Sequence, residues 1–314
     1  LANLGVRVSN LEKKVGNIYW TGDAKMMYTQ NAQKVDDKGN KVNDTYKGRI
    51  RLNVKGQVND DTYVQGRIVT NMYFKDAGDD DGNTKMDRLF VNHNFGDKTS
   101  AVLGRQSLTV FGGLQYDDAF DGAKVAYNDG KLDAYAAFGQ LNTGDWDATD
   151  VGFGGLAYDF GVAKLNAAYF NFAGKNAKAE GYNYDEIWGT NLVVPVQDFS
   201  VFGEYWDSNA NKADSAWQAG LGYNTLDLAK PGSFALNVAY NKVGANAYLG
   251  GSTYDAIDFI DNITENKTLK FWNVFGDVVL QKNVTLHGEY AWDIDNTTKD
   301  FDDNAWTLSL NYNF

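Results

Sequence analysis

The sequence predicts an all-β fold: a transmembrane antiparallel β-barrel of about 16 strands, preceded by a short α-helical coiled-coil segment. Three observations predict this fold. Apolar and polar residues alternate along most of the 314-residue chain, which is the period of a strand with two unlike faces. The connectors between the alternating runs are short and long in turn, as at the two rims of a membrane barrel. Tyrosine and tryptophan gather at the ends of the runs, where a barrel meets the membrane interfaces.

The composition limits the classes of protein that remain. Glycine is frequent at 33 residues, proline is rare at 2, and aromatic residues make up 14% of the chain, which favours strands over helices. The net charge of −12 gives no general electrostatic support for a nucleic-acid partner. The absence of cysteine excludes disulfides, thiolate metal sites and cysteine nucleophiles. The mean hydropathy of −0.46 is compatible with a barrel, because half the side chains of each strand face water.

The spacing of apolar residues predicts that the first element is a helix. Apolar residues recur at alternating intervals of three and four, at Leu1, Leu4, Val8, Leu11, Val15 and Ile18. This is the a/d seam of a coiled coil. We therefore expect residues 1–17 to be the end of a coiled-coil stalk and residues 18–314 to be the barrel, with a single amphipathic surface helix as the alternative. No charged leader or apolar signal segment opens the sequence, so we expect the chain to be a processed or truncated fragment.

The second strand carries a row of cations in the stretch "YKGRIRLNVKGQV". Every second residue is polar, and burying these cations in a dry core would be very costly. We expect the apolar side chains between them to face lipid or a neighbouring protomer. The cations that we expect on the wall of a water-filled lumen are Lys47, Arg49, Arg51 and Lys55.

The connectors predict which ends of the strands share a rim. Tight hairpin sequences join strands at residues 59–61, 95–98, 128–130, 159–161 and 281–283. Long polar stretches lie between them, at residues 31–44, 75–84, 142–150, 173–184, 208–214 and 244–267. Residues 224–232 are a longer connector on the otherwise short side. A soluble β-sandwich, the alternative fold, would mix connector lengths at both ends.

Three stretches of the chain resemble parts of known barrel families. The ending "NAWTLSLNYNF", with Tyr312 and Phe314, resembles the C-terminal signal that the barrel assembly machinery of bacterial outer membranes reads. The stretch "VLGRQSLTVFGG", followed by "YDDAFDG", resembles the fifth strand of general porins running into their inward-folded constriction loop. The stretch "RVSNLEKKVGNIYWTGDAKMMY" resembles the junction of stalk and barrel in the OmpM-type porins of diderm Firmicutes.

The resemblance implies a function and a set of partners. It implies an outer-membrane general diffusion porin for small hydrophilic solutes and ions, without a cofactor and with its stalk in the periplasm. The implied partners are two further copies in a homotrimer, outer-membrane lipid and lipopolysaccharide, and the assembly machinery. In this family an S-layer-homology domain precedes the stalk and tethers the outer membrane to the cell wall. That domain is missing from this sequence, so cell-wall binding cannot be assigned to these residues.

The resemblance also implies a charged constriction. The acids of the inward-folded loop would be Asp117, Asp118 and Asp121, and the candidate cations of the wall are Arg49, Arg51, Arg67, Arg88 and Arg105. Opposed rows of charge create a transverse field that orients dipolar solutes and sets ion preference. The alternative is that these arginines pair with nearby acids and hold the loop in place.

The stalk suggests how copies associate. With Leu1 at position a, the heptad places Arg7 at g, Val8 at a, Leu11 at d, Glu12 at e and Val15 at a. In a parallel coiled coil, Arg7 can reach Glu12 of the next protomer. This arrangement resembles a trimerisation signature of short coiled coils.

Other functions have less support in the sequence. The 2 histidines, His93 and His287, have no readable partner set for catalysis, so we expect no enzyme. The acidic run at residues 76–84 departs from a calcium loop at Ala77 and reads as a solvated loop. A structural tether and a substrate-specific channel remain as alternatives to general diffusion. The lumen-side aromatics Tyr63, Tyr73, Phe202 and Phe271 lie on distant strands rather than in a continuous row.

Overall fold

The strands pair in chain order and close into a barrel. The computed structural model describes residues 16–32, 44–75, 82–142, 149–172, 184–263, 266–295 and 302–314. Each strand is antiparallel to its neighbours, and β1 pairs with β16, with Met26 opposite Leu310. The predicted barrel of about 16 strands is confirmed.

The strands are 9 to 14 residues long, as a tilted membrane strand requires. The first eight are β1 Ile18–Gln30, β2 Thr45–Gln57, β3 Thr62–Tyr73, β4 Thr84–Phe95, β5 Thr99–Thr109, β6 Asp117–Asn128, β7 Leu132–Leu141 and β8 Asp150–Asp159. The second eight are β9 Lys164–Phe172, β10 Glu186–Val196, β11 Phe199–Ser208, β12 Ser215–Tyr223, β13 Phe234–Gly244, β14 Thr268–Gln281, β15 Val284–Asp295 and β16 Asn304–Asn313.

The helical content of the described residues is two 3-10 segments, Ala245–Ala247 and Asp255–Asn262. Among these same residues, no helix has the length and apolarity needed to cross a membrane. The predicted stalk lies almost wholly outside the described residues, and so do Arg7, Val8, Leu11, Glu12 and Val15. The coiled coil and its trimerisation residues therefore stay predictions.

The two rims of the barrel differ as the connector lengths predict. Short turns join β2 to β3, β4 to β5 and β14 to β15 at one end, which we call the short-turn rim. The connectors at the opposite end, the long-loop rim, include residues 31–44, 74–83 and 245–267. Residues 224–233 form the longer connection expected at the short-turn rim.

The outer face of the barrel is apolar and has aromatic residues near both rims. Its middle exposes aliphatic side chains such as Ile50 (43% exposed), Leu103 (65%) and Leu221 (54%). Exposed aromatic residues near the short-turn rim are Trp20, Phe95, Tyr158, Phe199, Tyr223 and Phe314. Exposed aromatic residues near the long-loop rim are Tyr46, Tyr169, Trp188, Tyr205 and Trp272. This distribution matches the predicted girdles.

Two connectors from the long-loop rim enter the barrel instead of covering it. We call residues 110–116 the short lumen segment and residues 245–263 the long lumen segment. The two meet inside: the backbone N–H of Thr253 donates to the Gly113 carbonyl (2.9 Å). The Gln115 side chain donates to the Ala247 carbonyl (3.0 Å) and accepts from the Leu249 N–H (3.1 Å).

An apolar core lies inside the barrel around these two segments. Ile257, Phe259 and Ile260 of the long lumen segment are buried against inward-facing side chains of the wall, among them Phe271. From the short lumen segment, Phe111 lies 5.0 Å from the ring of Trp206 on β11 (centroid to centroid). The core holds both segments in the lumen, because withdrawing them would expose this apolar surface to water.

Candidate functional site

The cations of β2 lie on the lumen wall, as the alternation predicts. Lys47, Arg49 and Arg51 occupy the face opposite to that of the exposed Tyr46 and Ile50. Lys55 lies on the same inner face, and its Nζ sits 4.0 Å from the centre of the Tyr63 ring. A row of cations therefore runs along one wall of the lumen.

Most of the wall arginines also pair with neighbouring acids. Arg51 Nε donates to Asp23 on β1 (2.9 Å), and the same carboxylate lies 3.8 Å from Arg49 Nη2. Asp23 is thus shared, and Arg49 Nε is buried without a hydrogen-bond partner among the described residues. Arg51 therefore pairs with an acid of the neighbouring wall strand and not with an acid of an inward-folded loop.

A bulge in β4 brings a second pair of arginines to the lumen. The register between β3 and β4 shifts after Arg67, so that Asp87 and Arg88 both turn inward. Arg67 then holds Asp87 with two hydrogen bonds (2.9 and 2.6 Å). Arg88 is 8% exposed and donates through Nη2 to Asp118 (3.2 Å). Both arginines lie at the wall, with their charges largely matched by these carboxylates.

The acids that oppose the wall come from the long lumen segment, which corrects the sequence prediction. Lys25 on β1 forms an ion pair with Asp255 (Nζ to Oδ2 2.5 Å). Asp258 lies one helical turn further along the same 3-10 helix, where it interacts electrostatically with Lys47. The arrangement of wall cations facing loop acids is present, but the loop is the one between β13 and β14.

The three acids predicted for the constriction loop are on strand β6. The short lumen segment, which follows β5 as expected, enters the lumen but carries no charged residue. Asp117 opens β6 and accepts from Thr109 Oγ1 (2.5 Å), and Asp118 accepts from Arg88. Both acids therefore brace the wall strands instead of facing them from a loop.

Arg105 and Asp121 lie on the outer face of the barrel, which corrects their predicted place in the constriction. Arg105 shares its face with Leu103, which is 65% exposed, whereas Gln106 and Leu108 on the other face are buried. Arg105 bonds Asp121 through Nε (2.7 Å) and Nη2 (2.5 Å). The two residues form a bidentate ion pair between β5 and β6 that does not reach the lumen.

The long lumen segment is anchored to the wall by a histidine and two carboxylates. Glu289 on β15 accepts from the backbone N–H groups of Asp255 (3.2 Å) and Ala256 (2.6 Å). His287 contacts Glu289 through Nε2 (2.9 Å) and Asp277 through Nδ1 (3.0 Å). The sequence analysis gave no indication of this anchoring role for His287 and Glu289.

Desolvation and repulsion affect the ionisation of Asp258. The pKa of its carboxyl is raised to about 8, first because the surrounding protein partly desolvates the charged form, although the residue is exposed to the lumen, and then because Asp255, Asp261 and Glu289 repel it. The attraction of Lys47 acts in the opposite sense. The charge that this segment presents to the lumen therefore changes near neutral pH.

A second set of lumen residues was missed by the sequence analysis. Side-chain amides line the wall of β9 to β14, opposite the cations, and they bond one another in two chains. Asn166 donates to Asn191 (2.9 Å). Gln218 donates to Asn241 (2.7 Å), which donates to Asn273 (2.8 Å). Their signal in the sequence is an amide at inward positions of successive strands.

The C-terminal residues complete the seam at the short-turn rim. Phe314 exchanges backbone hydrogen bonds with Gly22 on β1 (2.6 and 2.9 Å), and its ring is 60% exposed. Tyr312 lies on the outer face and is 39% exposed.

Two further residue sets were considered in the sequence analysis. On the outer face of the barrel, His93 contacts Thr62 through Nδ1 (2.8 Å). Most of the acidic run tested for calcium, residues 76–81, lies outside the described residues.

Comparison with known proteins finds similarity of structure. No protein-family model and no curated protein matches the sequence. An engineered form of the porin of Rhodopseudomonas blastica superposes with a TM-score of 0.61 and 11% identity, over 95% of this chain and 100% of that one. OprB of Pseudomonas putida superposes with a TM-score of 0.61 and 13% identity, over 99% and 96% of the two chains. At these identities the likeness establishes the fold, and the chain therefore has the barrel fold of bacterial porins.

Proposed function

We propose that the protein is an outer-membrane porin through which small hydrophilic solutes and ions diffuse with weak selectivity. The observation that supports it best is the charge arrangement inside a closed barrel. Lys25, Lys47 and Arg49 on the wall face Asp255 and Asp258 on the long lumen segment. Opposed charges across a lumen produce the transverse field that a diffusion pore uses to order dipolar solutes.

The outer face supports a membrane location. A soluble protein rarely exposes contiguous apolar surface on this scale, and the aromatic residues gather near the two rims. We place the short-turn rim and the stalk in the periplasm and the long-loop rim at the cell exterior, in contact with lipopolysaccharide. We propose that Tyr312 and Phe314 form the signal for the barrel assembly machinery, because the strand that carries them closes the barrel with β1.

A single-channel recording tests the pore directly. The purified protein, inserted into a planar bilayer between unequal KCl solutions, should give discrete open steps. Its reversal potential should show a modest preference for cations, since the chain carries a net charge of −12 and the wall cations are partly matched. A protein that inserts but never conducts would refute the pore.

We further propose a homotrimer. The heptads of residues 1–17 support it, as does the Arg105–Asp121 ion pair on the outer face. Exposing charged groups to lipid is costly, so this part of the outer face is better covered by protein. The mass of the detergent-solubilised complex tests the trimer, and a clean monomer or dimer would refute it.

A tethering role is the second candidate function. It is supported by the heptad pattern before the barrel and by the resemblance to OmpM-type porins. In this account the stalk links the barrel to a cell-wall-binding domain in a longer form of the protein. Barrels that insert without conducting would favour a purely structural tether, whereas conducting barrels are compatible with both roles.

A further inference from the structure

The lumen contains a cavity on the side away from the cations. It has a volume of about 370 Å³ and lies between the two lumen segments and the wall of β9 to β14. This volume falls within the usual range of small-molecule sites, roughly 300–1,000 Å³. The lining combines aromatic rings with amides and includes Phe111, Phe202, Tyr254, Phe275, Asn166 and Asn237.

The aromatic rings of the cavity are held in place. Tyr254 of the long lumen segment lies 4.6 Å from Phe275 on β14 (ring centroids), and its hydroxyl donates to the Gly112 carbonyl (3.3 Å). Phe111 packs on Trp206. Rings fixed in this way present flat apolar faces to a solute without a further loss of side-chain freedom on binding.

The one acid of the cavity is occupied by the protein itself. Glu204 is 4% exposed and accepts from Trp206 Nε1 (2.7 Å), from the backbone N–H of Gly112 and from the Asn191 side chain. Its function is therefore to hold the short lumen segment against β10 and β11. Lys164 lies at the edge of the cavity with Asp133 nearby (3.9 Å). The charged lining residues are therefore the buried Glu204 and the exposed Lys164, and the other lining residues are uncharged.

The amides define the chemistry of the ligand. Each side-chain amide can donate and accept, and the bond from Asn166 to Asn191 fixes the orientation of both groups. A hydroxyl group also both donates and accepts, so it matches an amide-lined wall better than a charged group does. A sugar ring adds C–H faces that pack on aromatic rings.

We propose that this cavity is a binding subsite for neutral polyhydroxylated solutes of the sugar class. The proposal rests on the proposed diffusion channel and adds to it a saturable site on the amide side of the lumen. Ions would follow the charged side, between the wall cations and the long lumen segment, and sugars would dwell on the opposite side.

Two readouts test the subsite and the pore separately. Saturation-transfer NMR on the detergent-solubilised protein should show contact with glucose and with maltose. The signal should saturate with sugar concentration, and each sugar should compete with the other. In bilayers the same sugars should lower the ion current in a saturable manner, because a bound sugar narrows the lumen that both sides share. A neutral ether of similar size without hydroxyl groups controls for nonspecific partition of a solute into the lumen or the detergent. It should give no saturable signal.

The variants locate the site. Asn237→Ala and Phe202→Ala should each weaken sugar binding at least fivefold. Two independent variants are used so that the test remains valid if one of them fails to fold. Asn71→Ala, which removes an amide from the cationic wall, is the matched control and should bind sugar normally. Conducting channels without sugar contact in either readout would overturn the subsite and leave the pore standing. Sugar contact in a barrel that never conducts would support the subsite and refute the pore, whereas equal signals from the ether would overturn the subsite.

Discussion

Lys25 and Asp255 are 230 residues apart in the chain, yet their side chains meet inside the barrel, with Nζ and Oδ2 2.5 Å apart. This ion pair joins the first strand to the long lumen segment, which Glu289 holds from the other side. The charged passage therefore lies between the barrel wall and a segment that is held by its apolar core and by these polar contacts.

Loss of that ion pair should make the open channel noisier. In Lys25→Met the long lumen segment keeps its apolar core but loses its attachment to β1, so we expect more frequent current fluctuations at an unchanged number of channels. Lys55→Met is the matched control, because Lys55 is a wall cation that contacts Tyr63 and not the segment. Equal current noise in Lys25→Met and in the parent would show that the pair does not restrain the segment.

The selectivity of the channel should change with pH. The pKa of Asp258 is raised to about 8, so the carboxyl is mostly neutral at pH 7 and mostly ionised at pH 9. Cation preference should therefore rise over this interval by about twofold: a unit charge about 10 Å away shifts the energies of a cation and an anion in opposite directions by about 0.4 kcal/mol each in water, and salt at about 0.1 M screens this to roughly a third. Reversal potentials at the two pH values measure the change, and Asp258→Asn should remove the part of it that comes from this carboxyl. A rise of the same size in that variant would assign the titration to another group.

Phe314 should matter more for assembly than for stability. Its ring is 60% exposed, so its burial contributes less than about 2 kcal/mol. Deleting the residue should reduce the amount of barrel in outer membranes, while the barrel refolded in detergent should melt almost as the parent does. The two measurements are membrane abundance and a thermal melt. Equal abundance of the two forms in the membrane would contradict a role in assembly.

The stalk should fold only as part of the complex. Arg7→Ala removes one exposed ion pair, worth under about 1 kcal/mol, and a helix of this length is marginal alone. We expect proteolysis of residues 1–17 to accelerate while the detergent complex keeps the mass of a trimer. Stalk cleavage at the parent's rate would argue against the contact between Arg7 and Glu12 of the next protomer.

The alternation of the sequence, together with the connector lengths and the aromatic positions, was sufficient to predict the barrel, because the outer face is apolar and many inward positions are polar. Lys47, Arg49 and Arg51 could be assigned to the lumen for that reason. Alternation no longer predicts which face a side chain occupies where the backbone contains a bulge. At Asp87 and Arg88, a bulge turns both side chains to the same face. Arg105 follows the alternation set by Leu103 and lies on the outer face, whereas the resemblance to general porins implied that it lies on the lumen wall.

The long lumen segment could not be located from local patterns, since a connector carries no strand period. One signal was present. Ile257, Phe259 and Ile260 are apolar residues within a connector that was expected to be solvated, and they form part of the inner core. The acids Asp255 and Asp258 enter the lumen because these neighbours are buried, and that coupling depends on contacts distant in the chain.

The most direct test of a charged permeation path is the reversal potential of Arg49→Ser/Arg51→Ser. Removing two lumen cations should raise the preference for cations about threefold, since each charge shifts the energies of a cation and an anion in opposite directions by about 0.4 kcal/mol at about 10 Å in water, screened to roughly a third by salt at about 0.1 M. The conductance should not fall. The matched control is Arg105→Ser/Asp121→Ser, which removes charges of the outer face and should leave the reversal potential unchanged. A reversal potential of the Arg49→Ser/Arg51→Ser channel equal to that of the parent would contradict the account, because it would show that ions do not pass the β2 wall.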